Sequence, residues 1–260
     1  MTRKVALITG ASAGLGVEFA RRFARDGHDV ILVARGASRL EALAATLEKE
    51  HGVKAHVLPT DLSWPDAPEQ LFAQVAERGL TVDFLVNNAG FGSSGPFLDQ
   101  DVKREAEMVQ VNCTALLKLT HLFARPMRER GHGRILNVAS TAAFQAGPYM
   151  STYYATKAFV VSLSEGLAYE LRGTGVTVTA HCPGATQTEF AQKAGNDKSR
   201  LFQRSGVAKP GDVVEHAYKA MMRGRVVSVH GALNGLAAFM VRFSPRAASR
   251  AVAAGLNQQA

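Results

Sequence analysis

Short runs of β-branched and apolar residues alternate along this chain with longer amphipathic segments. The runs are KVALIT from Lys4, DVILVA from Asp29, VKAHVLP from Val53, VDFLVNN from Val82, RILNVAS from Arg134, VTVTAHC from Val176 and RVVSVH from Arg225. Helical patterns lie between them, at about 15–26, 38–51, 67–78, 102–129, 152–172 and 211–223. Such alternation is typical of βαβ units, and apolar strands without a polar face are typical of a sheet covered on both sides. The pattern predicts an α/β fold with a doubly wound, parallel, seven-stranded sheet and helices on both faces.

The length and composition of the chain suit one domain. With 260 residues, 47% of them hydrophobic, the chain can bury a full core, and it shows no internal repeat or low-complexity linker. We therefore expect a single domain over residues 1–260. Residues 186–210 lack periodicity and are a candidate lid over a substrate. Residues 231–260 form an extension rich in small residues, for which an interface, a cover over a site and plain packing all stay open.

Several classes of protein are disfavoured by how residues are distributed. No apolar stretch reaches the roughly 18 residues of a membrane span, and the N-terminal apolar run is too short for a signal peptide, so we expect a cytoplasmic protein. The net charge is +8, but the 30 Lys and Arg form no block of like charges, which disfavours nucleic-acid binding. We expect Cys113 and Cys182 to be buried free thiols. The eight histidines form no HExxH or Cys/His cluster, which predicts no metal site.

A glycine-spaced loop, TGASAGLG from Thr9, lies between the first predicted strand and the first predicted helix. Gly10, Gly14 and Gly16 permit a tight turn, a close approach of the backbone to phosphate oxygens and close packing of the helix. The start of the following helix offers free N–H groups and a positive dipole end to a pyrophosphate. The loop therefore predicts a dinucleotide-binding site.

The end of the second predicted strand indicates which dinucleotide. A cofactor with free ribose hydroxyls requires an acid about 20 residues beyond the glycine loop. The segment LVARGASRL instead carries Ala34, Arg35 and Arg39, and Asp29 lies at the opposite end of the strand. Two guanidinium groups suit a 2′-phosphate through charge-assisted, forked hydrogen bonds. This predicts NADP(H) rather than NAD(H), with solvated charges at a helix start as the alternative interpretation of the arginines.

Further motifs follow in a set order: Asp61-Leu62, the NNAG stretch from Asn87, Ser140, the Tyr153-xxx-Lys157 pair and the Pro183-Gly184 turn. Together they resemble the short-chain dehydrogenase/reductase family over about residues 4–190. The resemblance implies a Rossmann fold and cofactor contacts from a defined set of residues. These are Gly10, Ser12, Ala13, Gly14, Leu15, Gly16, Arg35, Arg39, Asp61, Leu62, Asn88, Ala89, Gly90, Tyr153, Lys157, Pro183, Gly184, Thr186 and Thr188.

Two details of the resemblance bear on the cofactor. Asp61 matches an aspartate that contacts the adenine amino group, and the NNAG stretch matches a segment that stabilises the sheet and lies against the cofactor. Ala13 departs from the pattern, because many NADP-dependent relatives carry a serine or a basic residue there. Binding of a 2′-phosphate would then depend more on Arg35.

The stretch STYYATKAF, from Ser151, contains two adjacent tyrosines and one lysine. On a helix, residues i and i+4 share a face, so Tyr153 lies beside Lys157, whereas Tyr154 points about 100° away and is expected to pack against a neighbouring element. A cation about 4 Å from a phenol favours the phenolate by roughly 4 kcal/mol at an effective dielectric constant of about 20. That free energy corresponds to about three pKa units, so we expect Lys157 to lower the pKa of Tyr153 toward neutrality.

The resemblance implies a carbonyl reductase that uses NADPH, with Ser140, Tyr153, Lys157 and Asn112 as its catalytic set. Tyr153 would donate a proton to the developing alkoxide, and Ser140 would hydrogen-bond the same oxygen. Lys157 would also grip the nicotinamide ribose, and Asn112 would hold a water that leads to Lys157. Bacterial reductases of unassigned substrate, 3-oxoacyl-CoA reductases and hydroxysteroid dehydrogenases are similar, so an apolar ketone or aldehyde is the expected substrate. An NAD-dependent alcohol dehydrogenase and a catalytically silent nucleotide-binding regulator are the alternatives.

Aromatic residues after strand ends are candidates for the substrate pocket, because such folds bind ligands at that edge of the sheet. They are Phe91, Phe144, Tyr149 and Phe190. His181 is expected to be a packed strand residue rather than a base.

The resemblance also implies a homodimer or homotetramer that forms through the long helices at 102–129 and 152–172. We expect their outward faces to carry Ala115, Leu116, Val160 and Leu167. Small and apolar residues of this kind suit close packing between helices of two subunits.

Overall fold

The computed structural model of the protein describes residues 3–197, 199–200 and 207–258. Its seven strands are β1 (Val5–Thr9), β2 (Asp29–Ala34), β3 (Ala55–Pro59), β4 (Val82–Asn87), β5 (Gly133–Val138), β6 (Val176–Cys182) and β7 (Val227–Val229). All neighbouring strands run parallel, in the order β3-β2-β1-β4-β5-β6-β7. The predicted seven-stranded parallel sheet of a Rossmann fold is therefore confirmed.

Helices connect the strands and cover both faces of the sheet. They are α1 (Leu15–Arg25), α2 (Ala37–His51), α3 (Ala67–Glu77), α4 (Val102–Val109), α5 (Leu116–Glu129), α6 (Ser151–Glu170), α7 (Phe190–Ala194), α8 (Pro210–Met222), α9 (Ala232–Met240) and α10 (Arg246–Asn257). Short 3₁₀ turns lie at Phe97–Asp99, Thr141–Phe144 and Val241–Phe243. Among the described residues, no helix is long and apolar enough to cross a bilayer.

The prediction of one continuous α-helix over 102–129 is wrong in one respect. Its middle, Gln110–Ala115, is a π-helical segment that separates α4 from α5. A π turn is wider than an α turn, and its backbone hydrogen bonds have poorer geometry. It usually occurs where a side chain must point in a particular direction. Here it carries Asn112, whose side chain is engaged by two other parts of the chain, as described below.

The core explains why the strand sequences lack alternation. Ala6 and Ile8 of β1 belong to an apolar layer shared with α1, α2 and α8, whereas Val5 and Leu7 belong to the layer shared with α3 and α5. Both faces of each central strand are thus buried, and both must be apolar. Cys113 and Cys182 are buried free thiols, as expected.

The outward faces of the long helices differ from the prediction. Ala115, Leu116 and Val160 are buried against the sheet, so these three cannot form a free surface, whereas Leu167 is half-buried and lines a groove on α6. The large apolar residues exposed in this region are Val102, Val109, Leu117, Phe159 and Tyr169. The helices carry apolar residues on two faces, and only packing on the sheet determines which face turns inward.

The position of β1 creates the crevice in which a ligand can lie. The chain moves from β1 outward to β2 and β3, then returns to β4 on the other side of β1. At such a reversal the connections leave the strand ends in opposite directions, and a cleft opens beyond the carboxyl ends of the strands.

Candidate active site

A cleft of about 1220 Å³ lies at the carboxyl ends of the strands. Every residue that the sequence predicted for cofactor binding or catalysis lines it, except Gly16 and Asn112. Residues as far apart in sequence as Gly10 and Pro183 meet there, because the parallel sheet brings all its strand ends to one edge. One end of the cleft holds the glycine loop and Arg35, and the other end holds Ser140, Tyr153 and the C-terminal helices.

The glycine loop turns with a backbone that other residues rarely adopt. Gly10 and Gly14 have φ angles of 67° and 56°. A Cβ on Gly10 would stand 2.9 Å from Asn88 Nδ2 and 3.0 Å from Ala89 Cα. A Cβ on Gly16 would overlap the carbonyl of Gly10, so Gly16 allows α1 to pack against the loop and makes no surface of the cleft.

Hydrogen bonds tie the end of β4 to the glycine loop. Asn88 Nδ2 donates to the carbonyl of Thr9 at 2.9 Å, and Thr9 Oγ1 accepts from the backbone N–H groups of Asn88 and Ala89 at 3.0 and 2.9 Å. Behind them, Asn87 Nδ2 donates to Thr120 Oγ1 and Asn137 Oδ1, both at 2.9 Å. The NNAG stretch therefore holds two strand ends in register beside the turn. Thr9 was not predicted in this role, although it directly precedes the first glycine.

Two arginines stand at the end of β2. Arg35 and Arg39 are both exposed and both line the cleft. Arg39 Nη1 lies 3.7 Å from Glu189 Oε2, and Glu189 also pairs with Lys193 at 2.7 Å. The ion pair joins the start of α2 to the segment before α7 across the cleft.

These features fit a dinucleotide phosphate group. Glycine at position 10 lets the loop lie against Asn88 and Ala89, where a Cβ would clash, and the start of α1 follows the loop directly. Asp61, at the end of β3, accepts from Ser63 N at 3.0 Å and from Ser63 Oγ at 2.8 Å through one carboxylate oxygen, which holds its loop at the edge of the cleft. The glycine loop, Arg35, Arg39 and Asp61 would hold the adenosine half of such a cofactor.

Ser140, Tyr153 and Lys157 come together on the opposite part of the cleft. Ser140 follows β5 and accepts a hydrogen bond from Ala142 N at 3.1 Å. Lys157 is 5% exposed, donates from Nζ to the carbonyl of Val138 at 2.8 Å, and lies 5.8 Å from the centre of the Tyr153 ring. The i, i+4 spacing on α6 thus places the phenol and the ammonium on one face, as predicted.

The expectation that Lys157 lowers the pKa of Tyr153 toward neutrality is wrong. Burial raises the pKa of Tyr153 to about 12, although its hydrogen bond with Ser140 acts in the opposite direction. Burial also lowers the pKa of Lys157 to about 8. Desolvation penalises both charged forms, and the ammonium interacts directly with a backbone carbonyl rather than with the phenol. Tyr153 is therefore a protonated phenol near neutrality, which suits a proton donor.

Asn112 lies behind the cleft, where its amide is fully engaged. Its Oδ1 accepts from Phe91 N at 3.1 Å, and its Nδ2 donates to Phe91 O at 2.9 Å and to Thr156 Oγ1 at 3.1 Å. The water that Asn112 would hold on the path to Lys157 stays a prediction. The side chain holds the strand-end segment at Phe91 against α6.

Of the four aromatic residues predicted for the pocket, the structure places Phe91 and Phe190 on the cleft. The Phe190 ring lies 5.3 Å from that of Tyr153. Phe144 packs beside the core, and Tyr149 is exposed, with its hydroxyl accepting from Gln258 Nε2 at 3.2 Å. Phe144 ends the 3₁₀ turn after β5 and turns toward the core, whereas Tyr149 turns toward the C-terminal end of the chain.

His181 and Tyr154 are packed residues, as expected. His181 is fully buried in β6, where burial lowers its pKa to about 3, so it is neutral. Tyr154 is buried and donates to Asn257 Oδ1 at 3.1 Å. Its partner is α10 of the same chain.

The structure adds two further walls to the cleft: one includes Arg104, which the sequence did not indicate, and the other is the extension at 231–260, for which a cover over a site was one of three open interpretations. Arg104 stacks over Phe91 at 5.3 Å and donates to the carbonyl of Lys193 at 3.1 Å, which links α4 to α7. The C-terminal helices contribute apolar residues: Ala237, Ala238, Met240, Val241, Val252, Ala253 and Leu256. The alternation of small and branched residues in AASRAVAAGL is the only local signal of this second wall.

The chain is similar to proteins of known class along most of its length. Residues 4–199 match the short chain dehydrogenase family. A ketoacyl reductase of Nostoc is 33% identical over 222 residues, 85% of this chain and 76% of the relative, and a 7beta-hydroxysteroid dehydrogenase of Collinsella aerofaciens is 34% identical over 225 residues, 86% of this chain and 84% of the relative. A short-chain dehydrogenase from Sphingobium yanoikuyae, solved in complex with NADPH, superposes with a TM-score of 0.83 at 37% identity, over 92% of this chain and 94% of that one. With the ordered motifs and the sheet topology, these similarities show that the chain belongs to the short-chain dehydrogenase/reductase family of oxidoreductases.

Proposed function

We propose that this protein reduces an apolar ketone or aldehyde, such as a 3-oxoacyl or ketosteroid-like compound, to the alcohol with NADPH. The observation that carries the proposal is one cleft with Arg35 and Arg39 at one end and Ser140, Tyr153 and Lys157 at the other. The names of the ketoacyl reductase, the hydroxysteroid dehydrogenase and the NADPH complex support the substrate class and the cofactor.

Bound NADPH supplies the hydride for the carbonyl carbon. The chain supplies position and the proton. The Tyr153 phenol, protonated near neutrality, donates its proton to the oxygen of the carbonyl as negative charge develops there. Ser140 hydrogen-bonds the same oxygen and orients it. Lys157, on the same face of α6, places a cation where the phenolate left by proton transfer is stabilised.

Apolar walls favour an apolar substrate. Phe91 and Phe190 stand near Tyr153, and the C-terminal helices present alanine, valine and leucine side chains to the cleft. Contact with such walls removes apolar substrate surface from water. Residues 186–210 contribute Thr186, Thr188 and Phe190 to the cleft, in line with a substrate-facing segment, while residues 198 and 201–206 of the predicted lid lie outside the described residues.

NADPH consumption tests the chemistry. Wild type and Tyr153→Phe would be assayed over 3-oxoacyl thioesters, ketosteroids, aromatic ketones, aliphatic aldehydes and sugars. Tyr154→Phe is the matched control, because it also removes one phenol from α6 but outside the reacting group. We expect turnover of an apolar class that Tyr153→Phe lowers at least about a thousand-fold, since the proton donor is lost. Equal turnover in both variants contradicts the mechanism, and NADPH binding without turnover of any carbonyl favours a silent nucleotide-binding regulator.

Arg35→Asp tests the cofactor assignment. A carboxylate at the end of β2 repels a 2′-phosphate and accepts from free ribose hydroxyls, so the ratio of kcat/KM for NADPH to that for NADH should fall about a hundred-fold. Arg78→Asp, on the surface after α3, makes the same charge change away from the cleft. An unchanged ratio in Arg35→Asp favours the NAD-dependent alcohol dehydrogenase instead.

The proposed enzyme is one domain over residues 1–260 that works in the cytoplasm as a homodimer or homotetramer. The cleft lies between elements from both halves of the sheet, which supports a single unit. The absence of a spanning helix from the described residues accords with this location.

A further inference from the structure

The helical hairpin formed by α9 and α10 carries an apolar surface that none of the described residues covers. On α9 and the turn after it, Leu233, Leu236, Phe239, Met240 and Phe243 are between 50% and 83% exposed. Their spacing of three and four residues places them along one side of the helix. Val252 of α10 adds a further side chain that is 65% exposed. Scattered exposed apolar residues are common, but a contiguous stripe with aromatic residues marks an interaction surface. These six residues are called the C-terminal apolar surface here.

The charged residues on the hairpin itself have one sign. Arg242, Arg246 and Arg250 are exposed, and within the described ranges none of the three forms an ion pair. The sequence contains no Asp or Glu after Glu215. The α9 helix itself carries no charge and buries none of its residues. An apolar helix face bordered by arginine alone is the composition of an element that lies in the interface of an anionic membrane.

The same charges disfavour a second copy of the chain as the partner. A two-fold contact would bring like surfaces together, so the arginines of one copy would face those of the other. The surface offers no carboxylate to pair with them. A partner with negative charge and an apolar interior is required, and an anionic lipid bilayer provides both.

The hairpin is firmly attached to the catalytic part of the molecule. Asn257 is buried, accepts from Tyr154 and donates to the carbonyl of Pro148 at 2.9 Å. Ala253 packs against Met150 and Tyr154 at the start of α6. Met240 and Val252 belong both to the C-terminal apolar surface and to the lining of the cleft, so this surface borders the cleft. A contact made by the surface therefore brings the edge of the cleft to whatever is bound.

We propose that the C-terminal apolar surface, with Arg242, Arg246 and Arg250, docks this protein peripherally on anionic membranes. Phe239, Phe243 and Leu236 enter the boundary between headgroups and acyl chains, and the arginines contact lipid phosphates. Docking sets the cleft against the bilayer, so apolar compounds dissolved in the lipid reach it without crossing water. This inference rests on the hairpin alone and does not depend on the reaction catalysed.

Cosedimentation of the full chain with sucrose-loaded vesicles tests docking, and no substrate is needed. The vesicles are phosphatidylcholine with one quarter phosphatidylserine, or phosphatidylcholine alone. We expect binding to the anionic vesicles to be at least about ten-fold tighter and to weaken as salt rises from about 0.05 to 0.5 M. Phe239→Ser with Phe243→Ser should lower the partition coefficient about ten-fold or more through lost apolar contact, and R242Q/R246Q/R250Q should do the same through lost charge.

Matched controls test whether vesicle binding depends on this surface rather than on exposed aromatic residues or positive charge in general. Trp64→Ser removes an aromatic side chain that is 68% exposed elsewhere, and R21Q/R78Q/R128Q removes three arginines from other surfaces. Both should bind anionic vesicles within about two-fold of wild type if docking is local. Unfolding midpoints check that each variant folds, and the salt dependence of wild type tests the proposal even if one variant does not.

Three results would overturn the proposal. Wild type could fail to bind anionic vesicles at low salt, or the controls could lose as much binding as the hairpin variants. If the protein binds no vesicles but is retained on an acidic protein, the surface is assigned to a protein partner. If it binds no vesicles and its molecular mass falls with Phe239→Ser and Phe243→Ser, the surface is assigned to a contact with a second copy.

Discussion

Lys157 is a buried cation, and burial makes its charged form unfavourable. Its contribution to the free energy of unfolding therefore changes with pH in a definite direction. The pKa of Lys157 is about 8 in the folded protein against 10.5 in the unfolded chain. The unfolded chain therefore binds more protons between these values, and the contribution of Lys157 to the free energy of unfolding rises with pH across the window. At pH 7 the full penalty, roughly 3 kcal/mol, is present. A lysine that weakens the fold and yet lies beside Tyr153 is better explained by chemistry than by packing.

We expect Lys157→Met to remove this dependence on pH. Urea unfolding at pH 7.5 and pH 9 would give the difference in unfolding free energy between wild type and variant. Wild type should gain stability relative to Lys157→Met as the pH rises, because only wild type loses a buried proton. The comparison cancels the contribution of Tyr153, whose raised pKa acts in the opposite direction at higher pH. A difference that stays constant or shrinks contradicts a buried, weakly basic Lys157.

Gly10 is constrained both by its positive φ and by neighbouring atoms, and alanine substitutions at two glycines can separate these effects. Alanine there would be strained by the positive φ and crowded by Asn88 and Ala89. Gly79 has nearly the same φ, 64°, but a Cβ would meet nothing within 4 Å. We expect Gly79→Ala to cost about 1 kcal/mol from strain alone, and Gly10→Ala to cost at least about twice that. If Gly10→Ala and Gly79→Ala lose equal unfolding free energy in urea, the loop at Gly10 must relieve the crowding without further cost.

At the scale of elements, the π-helical segment depends on what Asn112 holds together. A regular helix through Gln110–Ala115 would point residue 112 elsewhere, and the bonds to Phe91 and Thr156 compensate for the poorer backbone geometry. The segment thus connects the end of β4 to α6 from behind the cleft. The Asn112 side chain in this segment holds the wall at Phe91 in position.

Asn112→Ala should lower the free energy of unfolding by about 2–4 kcal/mol, because three hydrogen bonds are lost at a buried site. Amide hydrogen exchange at Phe91 should speed up, since that N–H loses its acceptor. Asn112→Asp keeps an acceptor for Phe91 and loses both donated bonds, so its exchange at Phe91 should lie closer to wild type. A stability of Asn112→Ala within about 0.5 kcal/mol of wild type would contradict this structural role.

At the scale of the whole molecule, two surfaces are suited to different partners. The outer side of α6 bears a groove of about 530 Å³ lined by Phe159, Leu163, Gly166 and Leu167 among others. It lies on the opposite side of α6 from the residues that face the sheet. The hairpin surface is apolar and basic, whereas this groove is apolar with small residues, which suits helix packing between subunits.

Phe159→Glu should therefore dissociate the proposed dimer. A charge at the centre of an apolar helix contact would be buried without a partner, so sedimentation velocity should show a monomer at concentrations where wild type is a dimer or tetramer. Trp64→Glu, at a well-exposed site on another surface, should leave the mass unchanged. Wild type that is itself monomeric, or a mass unaffected by Phe159→Glu, argues against this groove as the subunit contact.

The sequence by itself determined whatever depends on neighbours along the chain. The seven strands and the loop at Gly10 follow from apolar runs and from glycine spacing, and the placement of Tyr153 beside Lys157 follows from helix geometry. Strand ends of a parallel sheet meet at one edge, so the order of motifs alone predicted that the glycine loop, Ser140 and Tyr153 would share a cleft.

Only the tertiary structure decided what depends on burial and on distant partners. The inward faces of α5 and α6, the engagement of Asn112, and the wall formed by α9 and α10 all arise from contacts between remote segments. The pKa of Tyr153 shows the reason most clearly. A pairwise view of Tyr153 and Lys157 omits desolvation, and desolvation is set by every element that closes around the two side chains.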